Sequence, residues 1–326
     1  MRQAVKRWGM ILGGAALIWG TSGGWGGAGE LHKVRVTVGQ RGLWDTTMGF
    51  VIGEKKGFFA REGITLDIFY TRGGAETLQP VATGNAEFGW ANGTFGVLGA
   101  YEKGAAVKIV SAEFTGSDVF WYVKADSPYR TFGDLVGQKI GFSSPGSSSH
   151  VILLRMMELS KFTAEAVPVG GVPDNFTAVM TGQIAAGWAV PPFRLADAQK
   201  GLVRIIARGD EFKELKDITF RVNIANAAFL KKSPDVARAF LRAYQRSLDY
   251  MYANSKEAMA AFADFNKLSP EVADLAFQFY PKRSLALSPV KGVEFQVKKA
   301  VDFKFLTKEL TKEQLQDLIA REYLPR

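Results

Sequence analysis

The stretch SSPGSSSH, Ser143 to His150, sets Ser147, Ser148, Ser149 and His150 side by side just ahead of an apolar helical pattern. Hydroxyls and backbone amides at a helix start form a cradle for an anionic or polar group. The first turn leaves its N–H groups without intrahelical partners, and the helix dipole is positive there. Three loops in the first half offer related chemistry. GLWDTT (Gly42–Thr47) carries Trp44 to wall a ligand, Asp45 to cap a helix and Thr46 to donate a hydroxyl. TRGG (Thr71–Gly74) brings Arg72 as an anion partner, and Gly73 lets backbone amides come close. ANGT (Ala91–Thr94) places Asn92 and Thr94 at another helix start. Later in the chain Pro191 and Phe193 would shape a cleft wall. Phe120 and Asn223 lie on segments that would pass beside a ligand.

These residue types hold a solute reversibly; they do not make or break bonds. The histidines are His32 and His150, there is no Cys, and no paired-His spacing suits a metal. A serine nucleophile would want a Gly-x-Ser-x-Gly elbow, and SPGSSSH is not one. We therefore expect no enzyme activity, no metal and no cofactor.

The elements that must position these loops come twice. TGNAEFGWANGTF (Thr83–Phe95) and TGQIAAGWAVPPF (Thr181–Phe193) share Thr, Gly, Gly, Trp, Ala and Phe at the same six of thirteen positions. Each is preceded by a helical stretch and followed by a Lys-Gly helix end and a short apolar strand, VKIV or VRII. Upstream, each has a further strand, loop, helix and strand. Alternating strands and helices imply parallel sheets covered on both faces, here in two similar α/β lobes. SDVFWYVKAD (Ser117–Asp126) leads out of the first lobe, with the crossing expected near Val123. ITFRVNIANAAFL (Ile218–Leu230) returns as an extended strand, dividing near Arg221. From Ser233 onward the pattern is helical. Ligands of open α/β sheets bind outside the carboxyl ends of strands, so the doubled segment supplies one binding edge per lobe. Trp90 and Trp188 should then be buried packing residues.

Residues 1–28 read as a secretory signal: Arg2, Lys6 and Arg7, then the apolar stretch WGMILGGAALIW, then small residues. No Cys follows to take a lipid anchor. The remaining Lys and Arg, part of a formal net charge of +9, are scattered without a basic run. That argues against nucleic acid and suits acidic solutes mildly. The expected organisation is a signal peptide at 1–28 and lobe one from 29–123. Lobe two follows at 124–220, then a return to lobe one with C-terminal helices at 221–326.

Two motifs carry a family resemblance. IGEKKGFFAREGITLDIFYTRGG with TLQPVATGNAEFGWAN resembles the N-terminal signature of the nitrate, sulfonate and taurine type of periplasmic substrate-binding proteins. That superfamily includes binders of thiamine-precursor pyrimidines. TFGDLVGQKIGF is similar to the same family's entry to its second lobe. The resemblance implies a two-lobed type II periplasmic-binding-protein fold with two hinge crossings. It implies a monomer that captures a small-molecule ligand in the periplasm and hands it to an ABC importer's permease and ATPase. A small organic anion, a sulfonate or carboxylate, aromatic ones included, is the expected ligand; a neutral heterocycle or a non-transport sensor role is the alternative. Where the family commonly has an acidic residue at the end of a lobe-two strand, this chain has Val190. The related fungal pyrimidine synthases carry clustered cysteines, which this chain lacks.

Overall fold

The computed structural model describes residues 31–325, so the expected signal at 1–28 lies outside the described residues. Valines at alternate positions, Val34, Val36 and Val38, face the core from β1 (His32–Gly39). The chain continues through α1 (Met48–Lys55), α2 (Phe58–Arg61), β2 (Ile64–Thr71), α3 (Ala75–Ala82), β3 (Phe88–Gly93), α4 (Thr94–Glu102) and β4 (Val107–Thr115). The second unit comprises β5 (Phe120–Lys124), β6 (Lys139–Phe142), α5 (Ser148–Leu159), β7 (Glu165–Pro168), α6 (Val172–Met180), β8 (Gly187–Ala189), α7 (Leu195–Gln199) and β9 (Val203–Arg208). Then follow β10 (Thr219–Asn226), α8 (Ala227–Lys232), α9 (Pro234–Ala253), α10 (Ser255–Asn266), α11 (Pro270–Phe277), α12 (Val293–Asp302) and α13 (Lys312–Leu318).

The first sheet has the order β2-β1-β3-β10-β4. β6 pairs in parallel with β7 and, through an Ile140–Ala186 bridge, with the segment entering β8; β8 in turn pairs with β5, and β5 with β9. Lobe two thus reads β7-β6-β8-β5-β9, the same topology with β5 in the place of β10. The sheets are mixed rather than parallel throughout. β10 and β5 are the strands nearest the crossings, and each runs antiparallel to both neighbours.

The echo in the sequence is an echo in structure. Thr83 and Thr181 are the C-caps of α3 and α6, and each hydroxyl donates to a carbonyl of its own last turn. Gly84 and Gly182 follow in left-handed backbone, φ 78° and 76°, where a side chain would be strained. Trp90 and Trp188 sit at matching places in β3 and β8 and are buried.

The outgoing crossing lies earlier than Val123. Phe120 to Val123 are fully buried and pair with lobe-two strands, so the chain changes lobes between Thr115 and Phe120. An interior strand is apolar at every position, which hides its end in the sequence. The return falls just before Thr219, and the crossings are bonded together: Gly116 N–H donates to the Ile218 carbonyl at 2.9 Å. The long α9 covers the first sheet, stacking Phe240 on Phe88 with centroids 4.1 Å apart. The C-terminal segment also reaches lobe two, where the Tyr280 hydroxyl donates to the Pro191 carbonyl at 2.6 Å. No described helix is long and apolar enough to cross a membrane.

Candidate functional site

Strand ends from both lobes meet around a cavity of about 40 Å³. Lobe one contributes Gly39, Gln40 and Leu43 after β1, Gly73 and Gly74 after β2, and Ala91 and Gly93 from β3. Lobe two contributes Ser143 and Ser147–Ser149 around the start of α5, with Trp188 and Val190 from the β8 end. Arg221 closes the hinge side. A water occupies about 30 Å³ of liquid, so the lobes are closed on each other. An organic solute of ordinary size enters only when they part.

Glycine makes that closeness possible. Gly96 N–H donates to the Gly146 carbonyl across the cleft at 3.1 Å. A Cβ on Gly93 would meet Gly146 O and lie 2.7 Å from Ser147 Cα. A Cβ on Gly74 would strike Ser144 Oγ. The flank of the cleft adds Lys299–Glu158 at 2.7 Å and Arg155 over the Phe295 ring at 5.0 Å, both joining α5 to α12.

The serines are organised before any solute arrives. Ser147 Oγ accepts from His150 N–H at 3.3 Å and from Ser144 N–H at 3.4 Å, and lies 3.1 Å from Ser149 Oγ. Ser149 Oγ accepts from Ser143 N–H at 3.0 Å. Ser148 also lines the cavity and takes no part in these bonds.

The other expected site residues divide. Gly73 lines the cavity. Phe193 faces the Gly42 loop, where a Cβ on Gly42 would lie 3.8 Å from Phe193 Cζ. The Asn92 amide is buried with neither end hydrogen-bonded among the described residues. Arg72 stands exposed and paired with Glu76 at 2.6 Å. Trp44 is a core residue rather than a cleft wall: its indole N–H donates to Tyr252 at 3.3 Å, and its ring meets Phe262 and Phe277 edge-on. Thr46 is buried and its hydroxyl donates to the Gln40 carbonyl. Thr94 donates to the Thr219 carbonyl at 2.8 Å, which spends its hydroxyl on the hinge. Phe120 is core, and Pro191 is held through its carbonyl by Tyr280. Asn223 is fully bonded, taking Ala91 N–H and donating to Ser111 Oγ and the Ala112 carbonyl, so it braces the left-handed Ala91.

Asp45 caps no helix. It is buried against Arg221, with Oδ2 at 2.5 Å from Nη2. Burial first, and then the neighbouring Glu113, hold its carboxyl well above the usual range, against the pull of Arg221. Arg221 also meets Glu113 at 2.6 Å and Asp118 at 2.7 Å, all buried. The visible sign of this cluster in the sequence is a lone arginine inside the apolar run ITFRVNI; a buried charge in such a strand demands partners.

His150 does not line the cavity. Its ring stacks on Phe142 at 3.8 Å and meets Phe305, from the segment after α12, edge-on at 5.4 Å. Nδ1 accepts from Gly146 N–H at 3.3 Å. Burial pushes its pKa down to about 4 from an ordinary 6.5. The folded protein therefore binds this proton less readily than the unfolded chain. The stability His150 contributes is present above about pH 6.5 and is lost as pH falls from there toward 4. Between pH 7 and pH 5 the melting temperature of the wild type should fall more steeply than that of His150→Phe. Parallel curves across that window would refute the neutral-stack assignment.

A family model described as NMT1/THI5 like matches residues 44–258. The Saccharomyces cerevisiae 4-amino-5-hydroxymethyl-2-methylpyrimidine phosphate synthase THI5 is 23% identical over 256 residues, covering 71% of this chain and 70% of its own. The riboflavin-binding protein RibY of Chloroflexus aurantiacus is 26% identical over 243 residues, covering 72% of this chain and 63% of its own. Among solved structures, the alkanesulfonate-binding protein SsuA from Xanthomonas axonopodis pv. citri bound to MOPS superposes with a TM-score of 0.74 at 17% identity. That superposition covers 89% of this chain and 98% of SsuA, and the likeness is one of fold. The matched span begins at the first cleft loop, takes in both crossings and both serine-lined and glycine-lined walls, and ends within α10: the chain belongs to the NMT1/THI5-like family.

Proposed function

We propose that the protein is a periplasmic solute-binding protein that takes a small organic anion, a sulfonate or carboxylate, and delivers it to an ABC importer. What carries this reading is the pairing of two walls across one closing cleft. Lobe one offers glycine loops with accessible backbone, and lobe two offers Ser147–Ser149 at the start of a twelve-residue helix. Neutral donors at a helix start bind anions without a bound cation. The RibY and SsuA names, both of binding proteins, support the capture role. The THI5 name favours a second ligand reading, a pyrimidine or similar ring, and Trp188 on the cavity wall would suit one. A synthase role is disfavoured by a chain without cysteine and by the one described histidine near the cleft, His150, being buried between aromatic rings.

A thermal-shift screen tests this. Protein freed of co-purified solute by unfolding and refolding is challenged with alkanesulfonates, aromatic carboxylates and aminopyrimidines. We expect at least one anion to raise the melting temperature in a concentration-dependent way, as binding to the native state requires. A response to the pyrimidines alone would transfer the assignment to the second reading. No response from any class would overturn solute capture.

A further inference from the structure

Four buried charged groups stand at the hinge, and the cradle chemistry does not use them. Arg221 lies just after the return crossing, two residues into β10. Its Nη1 and Nη2 meet both Asp118 oxygens, at 2.7 and 2.9 Å. Asp118 lies in the outgoing crossing, between the end of β4 and the start of β5. Nη2 also donates to Asp45, in the loop whose Leu43 lines the cavity. Nε donates to Glu113 on β4, and the guanidinium stacks over Phe114 at 4.7 Å.

Such a cluster is a poor source of stability, since desolvation offsets much of the ion-pair attraction and apolar replacements of equal volume do as well. Its geometry is informative instead. A planar guanidinium donates to carboxylates only in fixed directions. Two of its partners lie on parts that must move relative to each other if the lobes open: Asp118 on the strap to lobe two and Asp45 on a lobe-one cleft loop. The third, Glu113, belongs to the same sheet as Arg221 and does not bridge.

We propose that Arg221 is a positioning residue for solute binding, one that sets the angle between the lobes and the seat of the Asp45 loop together through Asp118 and Asp45. The proposal rests on the solute-capture reading for its purpose, but its mechanical content is measured without solute.

The chain has no cysteine, so paired labels are clean. Lys103→Cys and Lys200→Cys, at the exposed C-caps of α4 and α7, report the interlobe distance by pulsed electron paramagnetic resonance. In this background Asp118→Asn and Arg221→Lys should move the mean distance by more than the half-width of the unmodified distribution. Glu113→Gln should leave it in place, although all three lower the melting temperature. Equal displacement by Glu113→Gln and Asp118→Asn would overturn the proposal, since a merely structural cluster gives that result. So would unmoved distances in both Asp118→Asn and Arg221→Lys. If Asp118→Asn does not fold, Arg221→Lys against Glu113→Gln decides alone, because lysine keeps the charge and loses the fork. Failure of the capture reading shows separately, as a distance in the unmutated pair that no anion or pyrimidine of the screen changes.

Discussion

Gly93→Ala should weaken solute binding by about ten- to hundredfold while leaving the folded lobes intact. Gly93 precedes α4 with φ −63° and ψ 128°, backbone that alanine adopts without strain. The nearest atoms to an added Cβ are Gly146 O, Ser147 Cα at 2.7 Å and Ser147 C at 2.8 Å, all of them lobe-two backbone. Backbone does not swing aside as a flexible side chain would. Relief comes from moving the lobes apart, which is the motion binding must reverse. Overpacking by one methyl group costs about 1–3 kcal/mol, and each 1.4 kcal/mol is roughly tenfold in affinity. Calorimetric titration with a solute from the screen measures the loss, and the melting temperature of the unliganded protein should stay near wild type. Gly146→Ala is the less informative change. Its φ of 79° adds backbone strain to the interlobe clash, so stability and closure fall together. Wild-type affinity in Gly93→Ala would mean that the solute is held with the lobes further apart than the Gly96–Gly146 contact allows.

The doubled segment was legible because backbone requirements repeat with it. A threonine cap, a left-handed glycine and a tryptophan facing the core need no distant partner to be read. Gly84 and Gly182, and again Gly104 and Gly201, occupy the same left-handed backbone for that reason. Trp44 was not legible in this way. A tryptophan in a cleft loop can wall the cleft or turn inward, and nothing nearby decides. The choice is made by Tyr252, Phe262 and Phe277, about two hundred residues later, whose rings build the pocket it enters. Asp45 and Thr94 have the same history: both have residue types suited to a helix start, and both are drawn to the hinge by β10 and its approach, Asp45 to Arg221 and Thr94 to the Thr219 carbonyl. The serines kept their expected place because their partners are local amides. Trp188, expected only to pack, does both jobs: its indole N–H bonds the Gly170 carbonyl at 3.2 Å while its ring reaches the cavity. Local hydrogen bonding was readable; long-range burial was not.

The serines separate two effects that composition alone would merge. Ser147 is a true cap, accepting the His150 and Ser144 amides, so Ser147→Ala should lower the melting temperature as well as affinity. Loss of such a cap costs about 0.5–2 kcal/mol. Ser149 Oγ likewise accepts an amide, Ser143 N–H. Ser148 lines the cavity and stands outside that network, so its hydroxyl, like that of Ser143, is available to a head group. A hydrogen bond to a charged group is worth about 1.5–3 kcal/mol, which makes Ser148→Ala about ten- to hundredfold weaker for an anion. The same variant should lose much less affinity for a neutral ring, whose hydrogen bonds are nearer 0.5–1.5 kcal/mol. Adding Ser147→Ala should deepen the loss beyond about hundredfold and bring the drop in melting temperature that Ser148→Ala lacks. Titrations of both variants with one anion and one aminopyrimidine give the comparison directly. If Ser148→Ala binds the anion as the wild type does, the head group does not sit at α5. The remaining candidates are then the Ser143 hydroxyl and the Gly73–Gly74 amides beside Arg72, whose guanidinium would first have to leave Glu76.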